Sequence, residues 1–282
     1  MEDKDKKLVE ALLNEGLELL SSDNRKKQEK GFGALRAAFG LGSMEAAYLE
    51  GLCYKDGIGI YQSNEQAFER FKMAANAIPH AMYELGLCYI NGIGIEQNIE
   101  KAFECFSCAA QIGLPEAQFE LGICYRYGEG TEQNIKTAML WYEKAANQGY
   151  LRAYQNMGII YQTGLGDVLV DHDKAFNCFK KASEEENPNS FFSIGNCYLN
   201  GLGVDKNEKE AAGWFIKAAE MGEPDSMFHL AWMYQEGIGV ERNNELSTEY
   251  LYKSAEAGWE PAIRIIKGEA DRKSTRLNSS HR

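Results

Sequence analysis

A tyrosine followed three residues later by Gly-x-Gly recurs six times, and this period constrains the fold more than any other feature of the chain. The tyrosines are Tyr54, Tyr89, Tyr125, Tyr161, Tyr198 and Tyr234, at spacings of 35, 36, 36, 37 and 36 residues. The glycine pairs are Gly57 and Gly59, Gly92 and Gly94, Gly128 and Gly130, Gly164 and Gly166, Gly201 and Gly203, and Gly237 and Gly239. Three residues before each tyrosine stands Gly51, Gly86, Gly122, Gly158 or Gly195, with Ala231 in the sixth copy. Self-similarity at such a period marks a repeat architecture whose units bury their apolar faces on one another. Glycine in a helix costs about 1 kcal/mol against alanine, so its recurrence at one helical register calls for a closely packed partner helix.

The helix boundaries fall in the same register. Pro79, Pro115, Pro188, Pro224 and Pro261 open the first helix of a repeat, where the missing N–H has no intrahelical use, and Leu151 replaces proline in the fourth copy. Ser63, Asn98, Asn134, Asp171, Asn207 and Asn243 precede the second helix as capping residues. That helix runs through Ala-rich text such as Trp141 to Ala146 and often ends at a glycine, as at Gly113, Gly149, Gly222 and Gly258. No β-strand pattern lies between these segments. The expected fold is all-α, a right-handed α/α solenoid, or superhelix, of stacked helix-turn-helix repeats.

The stretch Ala117 to Tyr125, then Gly128-Glu129-Gly130, then Trp141 to Ala146 and Gly149, resembles the Sel-one-like repeat family, relatives of the tetratricopeptide repeat with a longer loop inside the hairpin. The resemblance covers residues 43–258 as six copies. Residues 1–42 are expected to form a degenerate capping hairpin, with Gly16 aligned 35 residues before Gly51 but no Gly-x-Gly loop. Glu50 departs from the pattern, standing where other copies carry Leu85, Leu121, Ile194 or Leu230. Residues 259–270 begin a further first helix, which breaks off where Asp271 replaces the expected tyrosine. Residues 271–282 lack hydrophobic periodicity and are expected to be foreign sequence attached to an interrupted gene.

The formal charge of −12, from 42 acidic against 30 basic residues among 282, argues against a nucleic-acid backbone or an anionic membrane surface as the main partner. It favours a basic or neutral one. No apolar run approaches the roughly 18 residues of a membrane span, and no export signal precedes the repeats, so direct membrane insertion is not expected and a cytoplasmic location is.

Candidate chemistry has plainer readings. A phosphate-binding Gly-x-Gly requires a preceding strand and a third glycine, whereas these six follow a helix and read as loops needing positive φ. Cys53, Cys88, Cys124 and Cys197 share a column, and stacked helices about 8 to 10 Å apart place such residues beyond the ~7 Å Cα limit of a disulfide. Cys105 and Cys108 have C-x-x-C spacing, but inside a helix rather than at its N-terminus. Cys178 falls in a packing column with Cys105, Trp141 and Trp214. His80 and His229 read as surface positions, and the histidines show no metal-ligand spacing. No catalytic residue, cofactor or metal is expected.

What remains is recognition. Counting each first helix from its proline, positions five, nine and twelve share one face, while seven, eight and eleven meet the partner helix. In tetratricopeptide-like solenoids the former face lines the concave groove. The residues expected to touch a protein or peptide partner are Tyr83, Leu87, Phe119, Ile123, Arg126, Phe192, Phe228 and Trp232, rich in the types that dominate binding energy. The plainer reading is that many of them pack between repeats. The resemblance implies a scaffold or adaptor. It also carries an alternative, β-lactam binding or hydrolysis, as in a secreted cysteine-rich branch that pairs cysteines across each hairpin; here the cysteines fall in unpaired columns. In the longer fourth loop, Val168, Leu169 and Val170 form an apolar run expected to tuck onto the protein or meet a partner.

Overall fold

The computed structural model describes residues 3–268, and every regular element among them is helical. The chain divides into two compact units, Met1–Tyr150 and Leu151–Arg282. The first holds four helical hairpins: α1 (Asp3–Leu20) with α2 (Arg25–Gly40), α3 (Met44–Asp56) with α4 (Asn64–Ala74), α5 (Pro79–Asn91) with α6 (Ile99–Ile112), and α7 (Pro115–Tyr127) with α8 (Ile135–Asn147). The second holds three: α9 (Arg152–Thr163) with α10 (His172–Ala182), α11 (Pro188–Asn200) with α12 (Glu208–Glu220), and α13 (Pro224–Glu236) with α14 (Asn244–Glu256). Within each unit the second helix of one hairpin also packs on the first helix of the next. Residues 260–268 are again helical, with Pro261 in the opening turn. The readings of residues 269–282 lie outside the described residues.

The capping chemistry forms as the sequence implies. Ser63, Asn98, Asn134, Asp171, Asn207 and Asn243 each accept a hydrogen bond from a backbone N–H in the following first turn. Pro79, Pro115, Pro188 and Pro224 each open a helix. At the other end, Gly57, Gly92, Gly128, Gly164, Gly201 and Gly237 adopt the left-handed conformation and close the first helix of each repeat. The second glycine of the pair does something different. A Cβ at Gly94 would overlap the carbonyl oxygen of Asn64, at the start of the preceding repeat's second helix, and Gly203 and Gly239 meet His172 and Glu208 in the same way. One glycine ends the helix, and the other lets its loop rest against the neighbouring hairpin.

The helical glycines face aromatic rings. A Cβ on Gly51, Gly86, Gly122, Gly158 or Gly195 would collide with Phe71, Phe106, Tyr142, Phe179 or Phe215 on the second helix of the same hairpin. These rings, all but fully buried, are the largest side chains of the core. Gly16 faces Leu35 in the α1–α2 hairpin by the same rule.

The departure at Glu50 is compensated within its own hairpin. Its side chain is 0% exposed and ion-paired with Arg70, whose Nε lies 2.6 Å from Oε2. The Arg70 guanidinium also sits 4.9 Å from the centre of the Phe39 ring. Arg70 occupies the column that holds Cys105, Trp141 and Cys178 elsewhere, so an apolar pair has been exchanged for an ionic one.

Candidate functional site

The column cysteines settle into packing roles. Cys53, Cys88, Cys124 and Cys197 are buried, and burial pushes their thiols up to about 11, 11, 12 and 11. Cys105 is pushed up to about 12 by burial and then by Cys108, the opposite of an activated thiol. None of the seven cysteines is joined in a disulfide. Among the described residues no group of three His, Cys, Asp or Glu side chains is placed to hold a metal ion.

In the first unit, Tyr83 and Leu87 on α5 and Phe119 and Ile123 on α7 are half-buried. The aromatic residues at position five lean on the ring of the second helix in their own hairpin: Tyr83 lies 6.0 Å from Phe106, and Phe119 lies 5.7 Å from Tyr142 and 5.1 Å from Tyr150. Each ring thus has one face in the core and an edge left outside it. Arg126 departs from expectation. It is only 9% exposed, lies 5.0 Å from the centre of the Tyr127 ring, and its charge acts on the buried Tyr142 phenol. Position twelve turns inward here, so Arg126 is a packing group rather than an exposed anchor.

The face also carries carboxylates that the aromatic pattern did not reveal. Burial and the nearby Glu84 and Glu116 raise the Tyr48 phenol, while burial with Glu120, Tyr150, Glu84 and Glu116 raises that of Tyr83. Lys55 neutralises Glu84, with Nζ 3.0 Å from both carboxylate oxygens. Glu120 is itself raised by burial and then by Glu129. These acids stand at positions two and six, whose residue types vary between copies, so no column of like residues marked them.

In the second unit, Phe192 on α11 and Phe228 on α13 are half-buried and Trp232 is 42% exposed. Phe192 lies 5.8 Å from Phe215. His229, expected at the surface, is instead half-buried among rings, stacked 5.1 Å from Phe215 and edge-on to Phe192 at 5.4 Å. Position six lies beside the buried position seven, and the neighbouring rings enclose a side chain as flat as imidazole.

Between α9, α11 and the start of α13 lies a cleft of about 440 Å³. Ile159 and Phe192 give it apolar wall; Gln155, Gln162, Asn189 and Asn196 supply carboxamides, and Glu223 and Asp225 supply carboxylates. The Ser193 hydroxyl donates to the Asn189 carbonyl oxygen at 2.9 Å and accepts from Gln155 Nε2 at 3.0 Å. Glu223 accepts from the backbone N–H groups of Asp225, at 3.2 Å, and Ser226, capping α13. Burial, then Glu223, pushes the Asp225 carboxyl up to about 6, with His229 acting in the opposite direction. The loop run behaves unevenly: Val168 is half-buried, while Leu169 is 86% exposed and Val170 is also exposed.

Fold and faces together define an all-α hairpin-repeat protein whose recurring helices present half-exposed aromatic residues. The Sel1 repeat model matches residues 36–77, 79–114, 115–150, 151–187, 192–223 and 224–259, and the chain belongs to the Sel1 repeat family. Among solved structures it is similar to a Sel1 repeat protein from Oxalobacter formigenes, with 28% identity, a TM-score of 0.78 and coverage of 86% of this chain and 96% of that one. It is also similar to c5321, a protective antigen present in uropathogenic Escherichia coli strains, with 34% identity and a TM-score of 0.75. That match covers 82% of this chain but 50% of the antigen, so the chain spans half the antigen's length. No curated protein matches it significantly. Sel1 repeats typically mediate protein–protein interaction and are generally non-enzymatic scaffolds.

Proposed function

We propose that the chain is a scaffold or adaptor that holds a protein or peptide partner on the position-five and position-nine face of its first helices. The observation that carries this reading is the contrast along each first helix. Positions three, seven and ten are sealed in the core, as at Ala117, Leu121 and Cys124, while Tyr83, Leu87, Phe119, Ile123, Phe192 and Phe228 keep part of their apolar surface outside it. Trp232 extends the same face. Half-exposed aromatic and aliphatic groups on a rigid frame give contact area at little cost in side-chain entropy.

The α1–α2 hairpin serves as the cap of the array, closing one side of α3. No described helix is long and apolar enough to cross a membrane. Seven cysteines without a disulfide suit a reducing compartment, and the cytoplasm is the location this reading takes. The β-lactam alternative finds no support in the cysteines, which do not pair across the hairpins.

Affinity capture with quantitative mass spectrometry, comparing wild type with the Phe119→Ala/Ile123→Ala variant, tests the reading. Binding energy concentrated in such groups predicts a loss on the order of 2 kcal/mol or more for a captured partner. A folded variant that captures the same proteins at the same yield contradicts the proposed face.

A further inference from the structure

The cleft of the second unit has a chemistry of its own, and this inference rests on the partner-binding reading above. We propose that the cleft is an arginine subsite, taking a guanidinium group from an extended segment of the protein partner, with Asp225 as counter-ion and the Phe192 ring as stacking surface.

Charge points to a cation. Asp225 forms no ion pair among the described residues, and the neighbouring Glu223 is committed to capping α13. A carboxylate drawn partly out of water beside a second acid gains most from a ligand that brings positive charge. His229 accompanies it, with Nδ1 2.9 Å from the Asp225 carbonyl oxygen, but its ring lies among Phe192, Phe215 and Phe228.

Hydrogen bonding points to a ligand rich in donors. The single proton of the Ser193 hydroxyl is used on the Asn189 carbonyl, so Gln155 must turn its amide N–H toward Ser193. This leaves Gln155 Oε1, enclosed behind the wall, with no donor. Toward the cleft, Asp225 and the carboxamide oxygens of Gln162, Asn189 and Asn196 offer acceptors for such a ligand. Guanidinium is planar, permanently charged, carries five donors and stacks on aromatic faces, whereas an ammonium is a compact, strongly hydrated point charge. Phe192 and Ile159 offer a flat apolar wall for such a plane, and Asn189 and Asn196 can meet the peptide groups on either side. The chain's charge of −12 steers basic segments toward it.

The test is a titration of the isotope-labelled full chain with acetyl-Gly-Arg-Gly-amide, its lysine counterpart and its citrulline counterpart, the uncharged analogue of arginine, read by side-chain amide NMR shifts. The arginine peptide is expected to shift Gln155, Asn189 and Asn196 and to bind about tenfold or more tightly than the citrulline peptide, the worth of one charged hydrogen bond. Asp225→Asn, close to isosteric, should abolish that preference, and Phe192→Leu should weaken the arginine peptide while leaving the protein folded. Equal binding of arginine and citrulline, an unchanged preference in Asp225→Asn, or shifts mapping elsewhere would overturn the subsite. Equal binding of lysine would overturn the guanidinium assignment. If these peptides fail while capture still depends on Phe119 and Ile123, the subsite falls and the scaffold reading stands. If capture is independent of that pair while the arginine peptide binds as expected, the reverse holds.

Discussion

At the scale of single residues, the repeat is held by pairs in which one member leaves room for the other. Gly122 admits the Tyr142 ring, which is fully buried, and a methyl group there would meet ring carbons. Gly122→Ala gains helix propensity of about 1 kcal/mol but overpacks a rigid core at a cost of about 1–3 kcal/mol. The expected outcome is a net loss of stability in chemical denaturation, partly recovered by adding Tyr142→Leu, the combination that Ala231 and Leu251 present at the same spacing in the sixth copy. The Glu50 and Arg70 pair gives a second test. Glu50→Leu leaves a largely buried guanidinium without its carboxylate and should cost about 2–4 kcal/mol, whereas Glu50→Leu/Arg70→Trp, recreating the Leu121 and Trp141 combination, should recover most of it. Asp225 supplies a pH test. Its native pKa of about 6 lies above the ordinary carboxylate value of 3.8, so ionisation opposes folding. Stability present below pH 3.8 is lost as the pH rises through 6. Asp225→Asn should therefore melt above wild type at pH 7.5, and the gap should close by pH 4. Both Glu223 and His229 are unchanged in that comparison. The glycine and capping columns were legible in the sequence because one residue type recurs for one backbone reason. Glu84, Glu120 and Asp225 were not, because their importance comes from neighbours on other helices.

At the scale of elements, each hairpin takes its boundaries from side chains that satisfy helix ends, and the second helices end in more than one way. Gly113, Gly149, Gly222 and Gly258 follow α6, α8, α12 and α14 at positive φ, α4 ends at Ala75 in the right-handed region, and α10 runs into a short 3-10 turn, Ser183–Glu185, and then Glu186 at φ 52. A non-glycine residue in that region costs about 1 kcal/mol. Glu186→Gly should accordingly raise unfolding stability by about that amount in equilibrium denaturation, with little change in the helical circular dichroism. The direction of the first helices was also legible, since the prolines and the register of apolar positions fix which face meets the partner helix. Arg126 shows the limit of that reading. Helical spacing placed it on the open face, but a long side chain can fold back, and the rings of Tyr127 and Tyr142 draw it in.

At the scale of the whole molecule, all-α repetition followed from the period taken together with the prolines and capping residues in one register and the lack of a strand pattern between them. The proposed face is a set of columns in the sequence, and Tyr83, Leu87, Phe119, Ile123, Phe192, Phe228 and Trp232 all keep surface outside the core. Its chemistry was not legible, because the acids and carboxamides that give the face its character lie in the variable positions between those columns. The thiols offer a further test. Counting in denaturant without reductant should return seven free groups, and five or fewer would contradict the packing role given to the cysteine columns.

The central claim is that the first helices, and not the second, meet the partner. Site-specific photo-crosslinkers placed at Leu87, Ile123, Ile159 and Trp232, and for comparison at the exposed second-helix residues Glu143 and Lys180, measure this directly. Covalent adducts with a captured partner are expected from the first set and none from the second. Adducts formed equally from Glu143 and Lys180, or from them alone, would contradict the claim.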